Sequence, residues 1–600
     1  MRKTGNSVIG TLLIMGVCLM ILQACSGSSD DDSIKPRAVK PYITVHPTST
    51  DYVTGDTIAA LKVSAAFKGD GNLSYQWFEA DRFVNSGGTE ISGETETTFL
   101  PNITGGTKFY YVEVSSEDSK TLVTTSNPAR IRILTEAAEI PASSIDVTDN
   151  SAQYVRGFGG MSNSFGIGPA GVAKYMEMRD IDTMFDQEHG LGMNIFRICL
   201  YHYPLDEVIK GERYSEIDTN RLYYEFVKRV NSYGGYVLAS PWTAPAYFKT
   251  NDSLMAGGHL KRDLYAEYAN YLSDFCKNMA DNGAPIYAIS IQNEPSLVVS
   301  YEGMEWTDIE HRDFMRDYGT FTQGAPSIKA WGGGSQQTHV RVMMGEPHQP
   351  QPNPWYSTAM DTILNDAAAI ANADIAAYHI YGGLGDRNVI SRNRRLTDLG
   401  IETWMTEWYK HSGNENLYYQ DSTWNFVWDF LDSVHHVIAN NDSNAYVAWY
   451  LKRFYSFIGD DSYGTVNGTI LPRGYAFSHY AKYASDTVRI SAALQGHPSS
   501  GNVRLSAYQR KTSKVTENEK KVMADEDSIS IVLYDKRTGA AASSEIKVNL
   551  PEGYIASSVF GIISDETQKQ APVLVVLAKD GKSAVVTLPV NAIISVKFVK

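Results

Sequence analysis

Hydrophobic and polar positions change their period twice along this 600-residue chain. From 42 to about 135, apolar and polar residues alternate in short runs. Ser74-Tyr75-Gln76-Trp77-Phe78, Phe109-Tyr110-Tyr111-Val112-Glu113-Val114 and Ala129-Arg130-Ile131-Arg132-Ile133 are examples, and glycine-rich turns lie between them. Period two with turn residues predicts an all-β unit. From about 155 to 485, unbroken apolar runs alternate with helical stretches, the signature of βα units around a parallel sheet. Eight strands are predicted: Val155–Gly160, Met193–Leu200, Tyr236–Ser240, Ile286–Gln292, Val340–Gly345, Ile375–Ile380, Thr403–Glu407 and Ala445–Leu451. The clearest helix runs from Arg262 to Met279, with Leu264, Tyr268, Tyr271, Leu272 and Phe275 on one face. Eight units close a (β/α)8 TIM barrel whose active site lies at the strand C-termini. From 486 to 600 the period returns to two, as in Ile529 to Tyr534 and Ala584 to Leu588, and predicts a β-sandwich side domain. Residues 139–154 are expected to add strands to it. Lys511 to Asp527 is polar and reads as a loop.

The N-terminus reads as a targeting segment. Arg2 and Lys3 precede an apolar run, Val8 to Leu22, that is short for a membrane span. It ends at Leu22-Gln23-Ala24-Cys25, which resembles a bacterial lipobox. Cleavage would remove 1–24 and leave a lipid-bearing Cys25. Residues 25–41, in which Ser-Gly-Ser-Ser-Asp-Asp-Asp (26–32) follows Cys25, would be an acidic flexible tether. The localisation implied is an outer-membrane lipid anchor with the protein exposed at the cell surface. An ordinary secretory signal is the alternative. The 42–135 unit resembles a bacterial immunoglobulin-like sandwich, with Trp77 at its core and Tyr110 near the tyrosine-corner position. A spacer role is expected for it, with glycan binding left open.

Composition narrows the partners. A net charge of −15 gives no general affinity for nucleic acid or anionic membranes. The 37 tyrosines and 10 tryptophans suit sugar faces as well as large cores. Of four cysteines, Cys199 and Cys276 remain for the folded part and are expected to be free thiols. No Cys/His spacing indicates zinc, and no cofactor is called for.

Two predicted strands end on a glutamate: Ile289-Ser290-Ile291-Gln292-Asn293-Glu294-Pro295 on strand 4 and Thr403-Trp404-Met405-Thr406-Glu407 on strand 7. Cleaving a glycosidic bond requires one carboxylic acid to protonate the leaving oxygen and one carboxylate to attack carbon or activate water. Asn293 could hydrogen-bond a sugar 2-hydroxyl. Trp242, after strand 3, is either a sugar platform or core. Arg197, ending strand 2, either holds Glu407 ionised or forms a structural ion pair. His379 and Tyr381 end strand 6, and Tyr381 could orient the nucleophile. Trp449 could floor the subsite of the attacked sugar.

Four ordered motifs resemble glycoside hydrolase family 30, closest to its glucuronoxylanase subfamily. They are Ser240-Pro241-Trp242 through Thr250, Ala288 through Pro295, Trp404-Met405-Thr406-Glu407 and Arg473-Gly474-Tyr475-Ala476-Phe477-Ser478. The likeness covers about 140 to the C-terminus. It implies Glu294 as acid/base, Glu407 as nucleophile and retention of configuration. It further implies an endo-β-1,4-xylanase directed by a 4-O-methylglucuronic acid side chain. In that subfamily the uronate is held by an Arg in a Trp-Tyr-x-Arg-Arg-x-Tyr stretch after strand 8, and by a Tyr and a Ser after strand 7. Here Arg453, Tyr409 and Ser412 match, whereas Lys452 replaces the first Arg, Phe454 differs and the Gly459–Gly468 loop is longer. Arg suits the task because its planar fork meets a carboxylate with two hydrogen bonds.

The sequence therefore predicts a surface-anchored retaining xylanase of glucuronoxylan. Its partners would be xylan, membrane lipid through Cys25 and other surface glycan-utilisation proteins. Another family 30 activity, such as a β-1,6-glucanase, and a non-catalytic glycan-binding lipoprotein are the alternatives.

Overall fold

A computed structural model describes residues 40–68, 71–116, 119–162, 176–200, 219–319, 340–348, 354–381, 387–511, 527–539 and 542–600. Cys25, the signal segment and most of the 511–527 loop lie outside the described residues.

At the centre eight parallel strands close a barrel. They are β1 (Gly157–Met161), β2 (Ile195–Leu200), β3 (Tyr236–Pro241), β4 (Ala288–Ser290), β5 (Arg341–Gly345), β6 (Ile375–His379), β7 (Glu402–Glu407) and β8 (Ala445–Ala448). Closure comes from β1, which pairs with β2 at Gly159↔Ile195 and with β8 at Gly157↔Ala445. Glycine is required there, because a Cβ on Gly159 would lie 1.7 Å from the Ile195 carbonyl oxygen. The bore is a packed core of Leu238, Tyr287, Met343, Ile375, Trp404 and Val447 among others. Its lower end is plugged by Arg156, which pairs with Glu402 at 2.6 Å and lies over the Tyr154 and Tyr236 rings. The predicted helix divides into a 3-10 turn, Arg262–Leu264, and an α-helix, Tyr265–Asp281. Tyr268, Tyr271, Leu272 and Cys276 are its buried face, and Leu264 and Phe275 are only partly covered. Cys199 and Cys276 are free and buried.

The side domain is a ten-stranded sheet. The strand Ser143–Val155 joins it, antiparallel to Thr487–Gln495 and parallel to Ser544–Asn549. The predicted first barrel strand is corrected here. Tyr154 and Val155 pair with Val488 and Thr487 in the side sheet, and the barrel strand starts only at Gly157. An apolar run spans both because the chain passes from one buried sheet to another through Arg156. His479, on the helix Pro472–Ala484, fastens barrel to sheet, its two ring nitrogens 2.9 and 3.0 Å from the Ser595 and Ser564 hydroxyls.

The N-terminal unit is all β, with Trp77 fully buried and its indole N–H donating to the Glu96 carbonyl at 2.8 Å. Tyr110 packs against Phe99, and its hydroxyl reaches no backbone carbonyl, so no tyrosine corner forms. The unit does not stand apart as a spacer would. Ser49 bridges to Val576 on the edge of the side sheet and accepts the Leu577 N–H at 3.0 Å. His46 packs against Phe560, and Asn127 donates to the Gly561 carbonyl.

Candidate active site

The C-terminal mouth of the barrel gathers residues from seven of the eight strands, β2 to β8. Glu294 follows β4 in a left-handed conformation, φ +50°. Glu407 is the last residue of β7, and both glutamates are buried. One oxygen of each carboxylate and one ring nitrogen of His379 lie within 4.8 Å of one another. Arg197 on β2 donates to Glu407 at 2.6 Å and to the Asn293 side-chain oxygen at 2.6 Å. Binding the Asn293 oxygen leaves its amide N–H groups to donate elsewhere. The Tyr381 hydroxyl donates to Glu407 at 3.0 Å, and His379 Nδ1 sits 3.1 Å from Glu294. Arg197 thus forms a buried ion pair with Glu407, which both readings of it contain.

A third glutamate, Glu346, was not singled out from sequence. It follows β5, is fully buried and has φ +71°. Its carboxylate is 3.0 Å from Arg197 and accepts from the Ser240 hydroxyl at 3.2 Å. Its carbonyl accepts the Glu294 N–H at 2.9 Å. Non-glycine residues in left-handed backbone cost of order 1–3 kcal/mol and cluster at functional sites. The signal was present: Gly345-Glu346-Pro347 ends an apolar strand as Asn293-Glu294-Pro295 does.

The charges are coupled. Burial would raise the Glu346 carboxyl, but Arg197 and His379 hold it at about 2. Burial would lower the His379 imidazole, but Glu407, Glu294 and Glu346 raise it to about 9. Glu346 and His379 are therefore both charged at neutral pH. The cluster of Glu294, His379 and Glu407 has the spacing of a metal site. The Arg197 guanidinium already supplies the positive charge on Glu407, so a metal ion would have to compete with it.

Aromatic rings line the mouth. Trp242 and Trp449 are partly exposed, 6.0 Å apart, with Arg197 4.9 Å over the Trp242 ring. Tyr409 packs against Tyr381 at 5.6 Å and Tyr455 at 5.3 Å. Tyr301, also missed from sequence, is 51% exposed beside both carboxylates, and burial and their charges push its hydroxyl up to about 12. The expected uronate readers are unequally placed. Arg453 lies on the Tyr455 side, with Nη1 3.6 Å from buried Asp460. Ser412 binds Asp421 through both its N–H and its hydroxyl. Lys452 is committed elsewhere, in a buried pair with Asp180 at 2.6 Å.

Comparison with known proteins gives a consistent picture. Residues 216–447 match the Glycosyl hydrolase family 30 TIM-barrel domain. The chain is 32% identical over 382 residues to glucuronoxylanase XynC of Bacillus subtilis, covering 62% of this chain and 77% of that one. It superposes on the family 30 subfamily 8 xylanase Xyn30A of Clostridium acetobutylicum with a TM-score of 0.57 at 22% identity, over 76% of this chain and all of that one. A family 30 endoxylanase of Clostridium papyrosolvens gives 0.55 at 25% identity with the same coverage.

Proposed function

Because this chain belongs to glycoside hydrolase family 30, it is a glycosidase, and we propose that it is a retaining endo-β-1,4-xylanase of glucuronoxylan. The observation that carries the mechanism is the approach of the two carboxylates, with oxygens within 4.8 Å. Retaining enzymes hold their carboxyl groups about 5–5.5 Å apart, whereas inverting enzymes leave about 6.5–9.5 Å for a water. In this reading Glu407, paired with Arg197 and oriented by Tyr381, attacks the anomeric carbon. Glu294 gives its proton to the leaving oxygen, then takes one from the water that frees the product. Asn293 donates to the 2-hydroxyl of the attacked sugar, and Trp242 and Trp449 pack on sugar faces.

Direction by a uronate side chain is the finer part of the proposal. It is supported by Arg453 and Tyr409 on one side of Glu407 and by the likeness to a glucuronoxylanase. Lys452 takes no part, because it is paired with Asp180. Digests of glucuronoxylan and of undecorated xylan, analysed by mass spectrometry, test it. Products carrying a uronate at a fixed place near the reducing end are expected. Equal cleavage of undecorated xylan would sink the uronate reading, and cleavage of β-1,6-glucan alone would sink the xylan reading. Proton NMR during the digest should show the β-anomer first, and Glu407→Gln should leave no turnover.

A further inference from the structure

The two-carboxylate mechanism gives Glu346 no part, yet the strand ends are organised around it. Its carboxylate is 3.0 Å from Arg197, the residue that holds Glu407, and 3.8 Å from His379, the residue on Glu294. His379 Nε2 is in turn 4.0 Å from Glu407. Its carbonyl fixes the Glu294 backbone, and its own N–H donates to Ala377 on β6 at 2.8 Å. The charged groups gathered around it are Arg197 from β2, Glu294 after β4, His379 from β6 and Glu407 from β7, with Tyr381 on Glu407.

We propose that Glu346 is a positioning residue: its fixed negative charge holds Arg197 and His379 and keeps the site electrically neutral throughout the reaction. The inference rests on the roles given above to Glu294 and Glu407. Before reaction Glu346 is anionic and Arg197 and His379 are cationic, and the two-carboxylate mechanism requires Glu407 anionic and Glu294 protonated. In the first step the Glu407 oxygen bonds to the anomeric carbon, the glycosidic C–O bond breaks, and the Glu294 proton goes to the leaving oxygen. One negative charge thereby passes from Glu407 to Glu294, and the sum is zero on both sides. Without the Glu346 charge the site is net positive on both sides. A net positive site favours ionised Glu294, so the acid loses its proton at lower pH. His379 loses one of the carboxylates that favour its charged form, and this opposes the shift in part, because a neutral His379 no longer favours ionised Glu294.

The test is the pH dependence of kcat/KM for Glu346→Gln in the full chain. One unit charge about 5 Å away at an effective dielectric near 20 is worth about 2 pH units. The alkaline limb should therefore move to lower pH by at least about one unit, with kcat down about tenfold or more and KM within about twofold. Glu346→Asp keeps the charge and should restore the limb while leaving kcat reduced. A Glu346→Gln profile that superimposes on the wild type overturns the proposal, whatever the drop in rate, because a merely structural prop would lower rate uniformly. If Glu346→Gln shows no thermal unfolding transition, Glu346→Asp is compared with the neutral Glu346→Asn. A limb moved to lower pH in Glu346→Asn but not in Glu346→Asp supports the proposal, and superimposable limbs in the two overturn it. Glu407→Gln separates the two levels. Turnover in that variant would overturn the nucleophile assignment itself, whereas an inactive Glu407→Gln beside an unshifted Glu346→Gln overturns only this inference.

Discussion

At the scale of single residues, the site works because each carboxylate has its own partners. Glu407 receives a charged donor, Arg197, and a neutral one, Tyr381. Burial and the charges of Glu407 and Glu294 keep the Tyr381 hydroxyl well above its ordinary range, so it remains a donor at every working pH. Tyr381→Phe should thus remove one hydrogen bond to a charged group, worth about 1.5–3 kcal/mol. The expected outcome is a fall in kcat of about 10- to 100-fold with the melting temperature held, measured by steady-state kinetics and calorimetry. An unchanged kcat would show that the hydroxyl is not used. Glu294 and Glu407 were legible in sequence because a glutamate closing an apolar run is easily seen. Glu346 was equally visible in form, but a two-carboxylate mechanism left no third place for it. The pairing of Lys452 with Asp180 was not legible, since an ion pair between residues distant in sequence leaves no local pattern. That pairing takes Lys452, which already departed from the family pattern, out of the substrate argument and leaves it to Arg453.

At the scale of elements, the barrel strands were legible because parallel strands buried on both faces read as unbroken apolar runs. The same property hid the passage at Arg156, where one run serves two sheets. Contacts between elements depend on neutral buried histidines. His479 joins the helix Pro472–Ala484 to two strands of the side sheet, and burial, with nearby Lys482, lowers its imidazole to about 3. The folded state keeps the ring neutral, whereas the unfolded chain takes up a proton near pH 6.5. The stabilisation is complete above 6.5 and is lost as pH falls from 6.5 towards 3, by up to about 1.4 kcal/mol per pH unit. His479→Gln should therefore be less stable than the parent at pH 7.5 but show a shallower decline towards pH 5, by urea titration at both values. Parallel declines would refute the role of His479. His46 and His311 are held at about 3 by burial too, so the variant should reduce the slope without abolishing it.

At the scale of the whole molecule, the N-terminal unit and the side domain meet edge to edge. The strand Thr50–Val53 ends the sheet of the first, and Val575–Leu577 ends the sheet of the second. Ser49 connects them through its bridge to Val576, and an ion pair between Lys579 and Asp56, at 2.5 Å, flanks the junction. An exposed edge strand invites pairing with another chain, and covering it is one way a protein prevents this. This arrangement was not readable from sequence, since alternating strands specify which face is buried but not which edge is covered. It gives the N-terminal unit a task inside the molecule, whatever it does outside. Deleting residues 1–135 should uncover Val575–Leu577 and Phe560 while leaving the barrel mouth untouched. The expected result is kcat on xylan within about twofold of the full chain, a melting temperature lower by about 2–4 °C for each kcal/mol of docking lost, and association that rises with protein concentration. Light scattering and calorimetry on the two proteins read this directly. Equal melting temperatures and equal monomer fractions would mean that the contacts at Ser49 and His46 contribute nothing to stability, and would return the unit to the role of an independent spacer.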